Sequence, residues 1–159
     1  MYGNILVTLD SSGQSEPVLP SLRPLVRQSR STVHLLSIYP SMRTLVGHHV
    51  VVYGHQLEEQ ATREALRYLE KVATQLRESG LHVSTRVQCG DVVSTLLGLI
   101  QTTAVDVLVL PMPWYRGDGR QIPMETTLRL MQRVTIPVLL SPVQTLQPDR
   151  GMPRWTSRH

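Results

Sequence analysis

The chain is predicted to fold as an α/β domain: a doubly wound, five-stranded parallel sheet with helices on both faces. Ile5 to Leu9, Val107 to Leu110 and Val138 to Leu140 are apolar at nearly every position, the pattern of strands buried on both sides. The stretches between the strands repeat apolar residues every three or four positions, the period of a helix packed on one face. Strands and helices alternating at this spacing imply right-handed βαβ units, and so a parallel sheet.

Ile5 to Leu9 makes the first strand, and Ser15 is placed to cap a first helix with Pro17 in its first turn. Pro20 and Pro24 each remove a donor and crowd the carbonyl four residues back, so this helix is expected to bend or begin late. Val33 to Ile38 forms the second strand, interrupted by His34 and Ser37. A long connection from Pro40 to His55 leads into the most regular helix. There Leu57, Ala61, Ala65, Tyr68, Leu69, Val72 and Leu76 share a face, Glu59 and Arg63 pair, and Gly80 ends the helix. Leu81 to Val87 alternates, with Leu81, Val83 and Val87 opposite His82, Ser84 and Arg86, and is read as an edge strand. Asp91 caps a helix whose Val93, Leu96, Leu97 and Ile100 line up. Val107 to Leu110, a loop, a helix beginning near Glu125, and Val138 to Leu140 complete the domain.

Composition excludes several classes. No apolar stretch approaches the roughly 18 to 20 residues of a membrane span, and the N-terminus lacks a secretion signal, so a cytoplasmic protein is expected. The single cysteine, Cys89, cannot form an internal disulfide, which agrees with a reducing compartment. The net charge of +4 is scattered, with a small cluster at Arg150, Arg154 and Arg158, and lacks the dense basic stripe of a nucleic-acid binder.

Parallel sheets bind ligands beyond the carboxyl ends of their strands. Here that crevice is bordered by Asp10 to Ser12, Tyr39 onward, Cys89 to Asp91, and Pro111 to Met124. A phosphate cradle in the last of these needs glycines and a helix N-terminus free of negative charge. The loop instead carries Pro111, Trp114 and Met124, with Glu125 at the helix start.

Ile-Leu-Val-Thr-Leu-Asp-Ser-Ser at the start, Pro20, Leu-Leu-Ser-Ile-Tyr-Pro at 35–40, Gly90-Asp91, Asp-Val-Leu-Val-Leu from Asp106 and Ile-Pro-Val-Leu-Leu at the end together resemble the universal stress protein family. The resemblance runs over about residues 2–142. It implies a domain over 1–142 with a Rossmann-like sheet of the adenine nucleotide alpha hydrolase type, and a polar tail over 143–159 expected to be flexible. It also implies a homodimer through the last strand, Val138 to Leu140, which would otherwise leave an apolar edge exposed. Members divide into ATP binders and proteins that do not bind ATP. The binders carry Gly-x-x-Gly, nine residues, then Gly-Ser or Gly-Thr. Pro111, Trp114, Met124 and Glu125 stand at those four positions, while Asp10 matches the nucleotide-contacting Asp and Ile38 the apolar position that packs on adenine. Gly117 and Gly119 lie at the wrong spacing to restore the motif.

Glu125 near the first turn stabilises the helix by about 0.3 to 1 kcal/mol through the dipole. It also repels a phosphate: at roughly 5 Å and an effective dielectric of about 20 the cost is about 3 kcal/mol. The expectation is therefore a stress-response binding or regulatory protein, not an enzyme, without a cofactor and without ATP bound in the usual mode. The rival reading is an ATP or AMP binder, with or without magnesium, that uses Asp10, Ile38, Gly90 and a remodelled loop with Arg116 or Arg120 replacing the glycine contacts. In that reading Trp114 and Tyr115 stack on a planar ligand; in the first, they plug a site that no longer binds one. A further rival is a small-molecule enzyme using Cys89 or the loop with His48, His49 and His55. Adjacent histidines rarely converge on one ion and no carboxylate or thiol completes a set, so no metal is expected there. Cys89 is read as a structural thiol, because Asp91 opposes its ionisation. Ser11 and Ser12 fit turn chemistry, since no catalytic triad pattern accompanies them.

Overall fold

A computed structural model describes residues 2–27, 30–41, 45–46, 49–50 and 54–143, the residues in 45–56 by backbone only. In chain order the elements are β1 (Asn4–Thr8), a 3-10 helix (Glu16–Leu22), β2 (Thr32–Tyr39), β3 (Leu45–Val46), β4 (His49–Val50) and α1 (Gly54–Glu78). There follow β5 (His82–Cys89), α2 (Val92–Thr102), β6 (Val107–Met112), α3 (Met124–Arg133) and β7 (Val138–Pro142). The five long strands form one parallel sheet in the order β5-β2-β1-β6-β7, and β3 and β4 make a separate antiparallel pair.

Alternation along the strands divides the core in two. Ile5 and Val7, Val33 and Leu35, and Val107 and Val109 face Leu69, Val72, Ala73 and Leu76 of α1 and Val18, Leu19 and Leu22 of the 3-10 helix. Their neighbours Leu6, Leu36, Ile38, Leu108 and Leu110 join α2 and α3 on the opposite face. Both layers are needed because a central parallel strand has two apolar sides to cover. Asp106 fixes the register at the amino end of the sheet: one carboxylate oxygen accepts from Gly3 N–H (3.0 Å) and Asn4 N–H (2.7 Å).

The edge strand, the Asp91 cap and the long helix stand as the sequence predicts. Asp91 accepts from Ser94 N–H at 3.0 Å. Gly80 ends the long helix with φ +87°, where glycine escapes the Cβ penalty. Three readings are corrected. The first helix is a seven-residue 3-10 turn, as Pro17 and Pro20 favour. Ser15 makes no capping bond there; its hydroxyl goes to Asp10. Leu57 is 57% exposed, since α1 begins at Gly54, before its apolar stripe reaches the sheet.

His34 lies between two strands, with Nδ1 2.6 Å from Ser84 Oγ and Nε2 3.0 Å from Asn4 Oδ1. Burial, and then the charge of Arg86, hold its pKa below 6.5. The folded state therefore binds fewer protons than the unfolded chain. Its contribution is complete above about pH 6.5 and is lost as pH falls toward the folded value. The unfolding free energy is expected to drop between pH 7 and 5 with a slope of at most about 1.4 kcal/mol per unit, read as a falling melting temperature. His34→Gln should flatten the profile, and an unchanged slope would rule His34 out as its source.

Candidate functional site

Beyond the carboxyl ends of β1, β2 and β6, the chain covers the crevice with its own backbone. It leaves β6 at Met112 and forms a short hairpin, with Tyr115 bridged to Gln121 and Ile122 N–H donating to Trp114 C=O at 2.7 Å. Arg116 N–H donates to Arg120 C=O at 2.8 Å, and the Arg116 guanidinium grips Asp118 through two bonds of 2.7 and 3.2 Å.

The tip of this hairpin docks through the backbone of one residue. Gly117 N–H donates to Ile38 C=O at 2.7 Å, and Gly117 C=O accepts from Ser11 N–H at 3.3 Å and from Ser11 Oγ at 2.8 Å. Gly117 is buried, and a Cβ there would collide with the Tyr39 ring and stand 2.8 Å from Ser37 Oγ. Only glycine lets the backbone approach this closely. Tyr39 closes the other side, its hydroxyl 2.6 Å from Ser11 Oγ, and burial pushes its phenol pKa up.

Asp10 is wholly buried and its carboxylate serves the chain itself. One oxygen accepts from Ser15 N–H (3.0 Å) and Ser15 Oγ (2.5 Å), the other from Ser12 N–H (3.2 Å) and the Ser12 hydroxyl. Ile38 is 4% exposed and belongs to the same apolar cluster as Trp114 and Ile122.

The four positions of the phosphate motif do not share one loop. Pro111 is inside β6, paired with Ser141. Trp114, 2% exposed, is built into the core, so in this conformation it offers no face for stacking; Tyr115 is partly exposed. Met124 is 57% exposed, so most of its bulk lies in solvent and does not fill the crevice. Glu125, in the first turn of α3, is also exposed. Water around it reduces the repulsion of an incoming phosphate from about 3 toward about 1 kcal/mol.

Among the described residues a cleft of about 320 Å³ is open beside this seal, lined among others by Ser41, Gly90, Asp91, Arg116, Thr126 and Arg129. Gly90 and Arg116 fall where the sequence suggests. Arg120 is not among the lining residues, and the second guanidinium is that of Arg129. Arg129 lies one turn beyond Thr126 on α3, so the two line the cleft together. Each cation has an acid at hand. Arg116 holds Asp118, while the carboxyl of Asp91 is kept below the usual range by the Ser94 N–H that it caps, with the charge of Arg129 adding to this.

Cys89 ends β5 half-buried, and burial and a hydrogen bond to Glu58 push its thiol pKa up, which disfavours the nucleophilic thiolate. His48 lies outside the described residues, as do the side chains of His49 and His55. Residues 144–159 of the tail are likewise outside them. Among the described residues no helix is long and apolar enough to cross a membrane.

The model of the Universal stress protein family matches residues 1–142. The chain is 30% identical over 121 residues to the universal stress protein Sll1388 of Synechocystis sp., an overlap of 69% of this chain and 77% of that protein. Among solved structures, the hypothetical protein MJ0577 superposes with a TM-score of 0.71 at 19% identity, over 92% of this chain and 99% of the other. A family protein of Arabidopsis thaliana with AMP bound gives 0.59 at 15% identity, over 89% and 92%.

Proposed function

The chain belongs to the universal stress protein family, and on that premise we propose that it acts as a cytoplasmic homodimer that binds or regulates, without catalysis and without ATP held in the family's usual way. The observation that carries this reading is Gly117, whose backbone N–H and C=O take up the Ile38 carbonyl and the Ser11 N–H at the mouth of the crevice. A nucleobase directed at Ile38 would have to displace it, and Asp10 is already satisfied by Ser12 and Ser15. The raised thiol pKa of Cys89 supports the absence of nucleophilic chemistry. The dimer reading rests on β7, the terminal strand of the sheet, whose outer edge has no neighbour among the described residues. Unpaired apolar edges invite pairing with another copy.

The test is thermal unfolding with 1 mM ATP and magnesium. A ligand with a Kd near 10 μM would add roughly 2.7 kcal/mol and raise the midpoint by several degrees. The expected shift is below one degree. A shift of the larger size would favour the rival nucleotide reading, through the open cleft with Arg116 and Arg129, and would direct mutagenesis to those two residues.

A further inference from the structure

We propose that the open cleft beside the hairpin binds a small organic monocarboxylate with a compact apolar body, its carboxylate held by Arg129 with Arg116. The inference rests on the reading above only for the seal at Gly117, which keeps a nucleobase out of the neighbouring crevice.

Two sides build the cleft. Pro40, Asp91 and Val92 come from the ends of β2 and β5 and the start of α2, and Ile122, Pro123 and Arg129 from the base of the hairpin and α3. Both guanidiniums stand on the second side, and they are not equivalent. Arg116 is committed to Asp118 through two bonds. Arg129 is exposed and has Thr126 Oγ1 at 3.5 Å, and among the described residues no carboxylate forms an ion pair with it. Its charge reaches Asp91, but that carboxylate already accepts from the Ser94 N–H. A guanidinium on a concave site with donors to spare is a ready partner for a planar carboxylate, which takes two parallel N–H bonds.

Charge and shape select the class. Among the lining groups two guanidiniums, Arg116 and Arg129, face one carboxylate, Asp91, which leaves a single positive charge in excess. One negative charge on the ligand balances it. Glu125, exposed next to Thr126 in the first turn of α3, repels every further charge, so phosphate dianions and polyphosphates are disfavoured. The side chains of Pro40, Val92, Ile122 and Pro123 have no hydrogen-bonding groups and offer apolar contact to an aliphatic or aromatic body. The volume of about 320 Å³ lies at the lower end of the range for small-molecule sites, about 300 to 1,000 Å³, and fits a substituted ring better than a nucleotide.

The probe is phenylacetate, titrated into the full chain at neutral pH and followed by calorimetry. Saturable one-to-one binding is expected, with a Kd of about 1 mM or tighter. Phenylacetamide, which keeps the shape without the charge, and acetate, which keeps the charge without the apolar body, should each bind at least tenfold more weakly. Arg129→Gln should weaken phenylacetate at least tenfold while the melting midpoint stays within one degree of wild type, because the side chain is exposed and has no ion pair to lose. Arg120→Gln, on the same hairpin but outside the lining, should leave the affinity unchanged. Equal binding of the amide, or an Arg129→Gln variant that binds phenylacetate like wild type, would overturn the proposal. Inorganic phosphate that binds more tightly than phenylacetate and depends on Arg129 would overturn the carboxylate class. No phenylacetate binding, with ATP also leaving the midpoint in place, would remove this ligand and keep the reading without ATP. An ATP shift that Arg129→Gln abolishes would overturn both.

Discussion

Replacing Trp114 with alanine is expected to lower the unfolding free energy by about 3 to 5 kcal/mol, a large share of the roughly 5 to 15 kcal/mol available to a domain. Trp114 heads the group of largest fully buried side chains and packs in one cluster with Ile38, Leu110, Ile122 and Leu130. It is also the base of the hairpin that seals the crevice, through the bond from Ile122 N–H to its carbonyl. Truncation thus removes the anchor of the seal together with core volume. At about 2 to 4 °C per kcal/mol for a chain of this size, the midpoint should fall on the order of 10 °C. Trp114→Phe should lose less, because most of the apolar volume stays. A lined apolar cavity of this kind also accepts a matching small molecule, so millimolar indole should recover part of the loss in the alanine variant and none in the wild type. A drop under about 1 kcal/mol would show that Trp114 does not anchor the hairpin.

The elements that could be read from the sequence are those whose signals are local. The alternation of Val83 and Val87 with Ser84 and Arg86 marks a strand with one solvated face, and Asp91 meets its Ser94 partner three residues away. The proline pattern around Pro17 and Pro20 reads as a fault in an α-helix; that the chain answers with a 3-10 turn depends on how Val18, Leu19 and Leu22 reach the sheet. Leu57 misleads because helical period continues past the point where the helix meets the core. The site was legible only in outline. Its seal is made by a backbone peptide at Gly117 that meets Ser11 and Ile38, residues distant in the chain, and no side-chain pattern encodes such a bond. The four phosphate-motif positions are not one obstructed loop, because Pro111 lies inside β6 and Met124 and Glu125 in the first turn of α3. Trp114 does fill space, but Met124 and Glu125 point to solvent, and the closure comes from glycine approaching closely.

Asp10→Ala is expected to cost on the order of 3 kcal/mol with no ligand present, because hydrogen bonds to a charged acceptor contribute about 1.5 to 3 kcal/mol each and are not additive. The substitution strands two N–H groups and two hydroxyls, and Ser15 among them is wholly buried. The consequence extends beyond the turn. Ser11, the next residue, donates through both N–H and Oγ to Gly117 C=O, so loosening the turn weakens the dock of the hairpin tip. Two measurements follow from that coupling. The melting midpoint should fall by roughly 6 to 12 °C, and limited trypsin digestion should cut after Arg116 or Arg120 faster than in the wild type, since cleavage needs the tip to leave the crevice. Asp10→Asn should be intermediate, because its amide keeps one acceptor but turns a donor toward N–H and hydroxyl groups. An Asp10 that served chiefly as a ligand contact would behave in the opposite way. Its removal would leave stability within about 0.5 kcal/mol and the hairpin resistant, as surface substitutions do. The two roles thus separate on the apo protein alone, because a carboxylate already satisfied within its own turn has stability to lose before any ligand arrives.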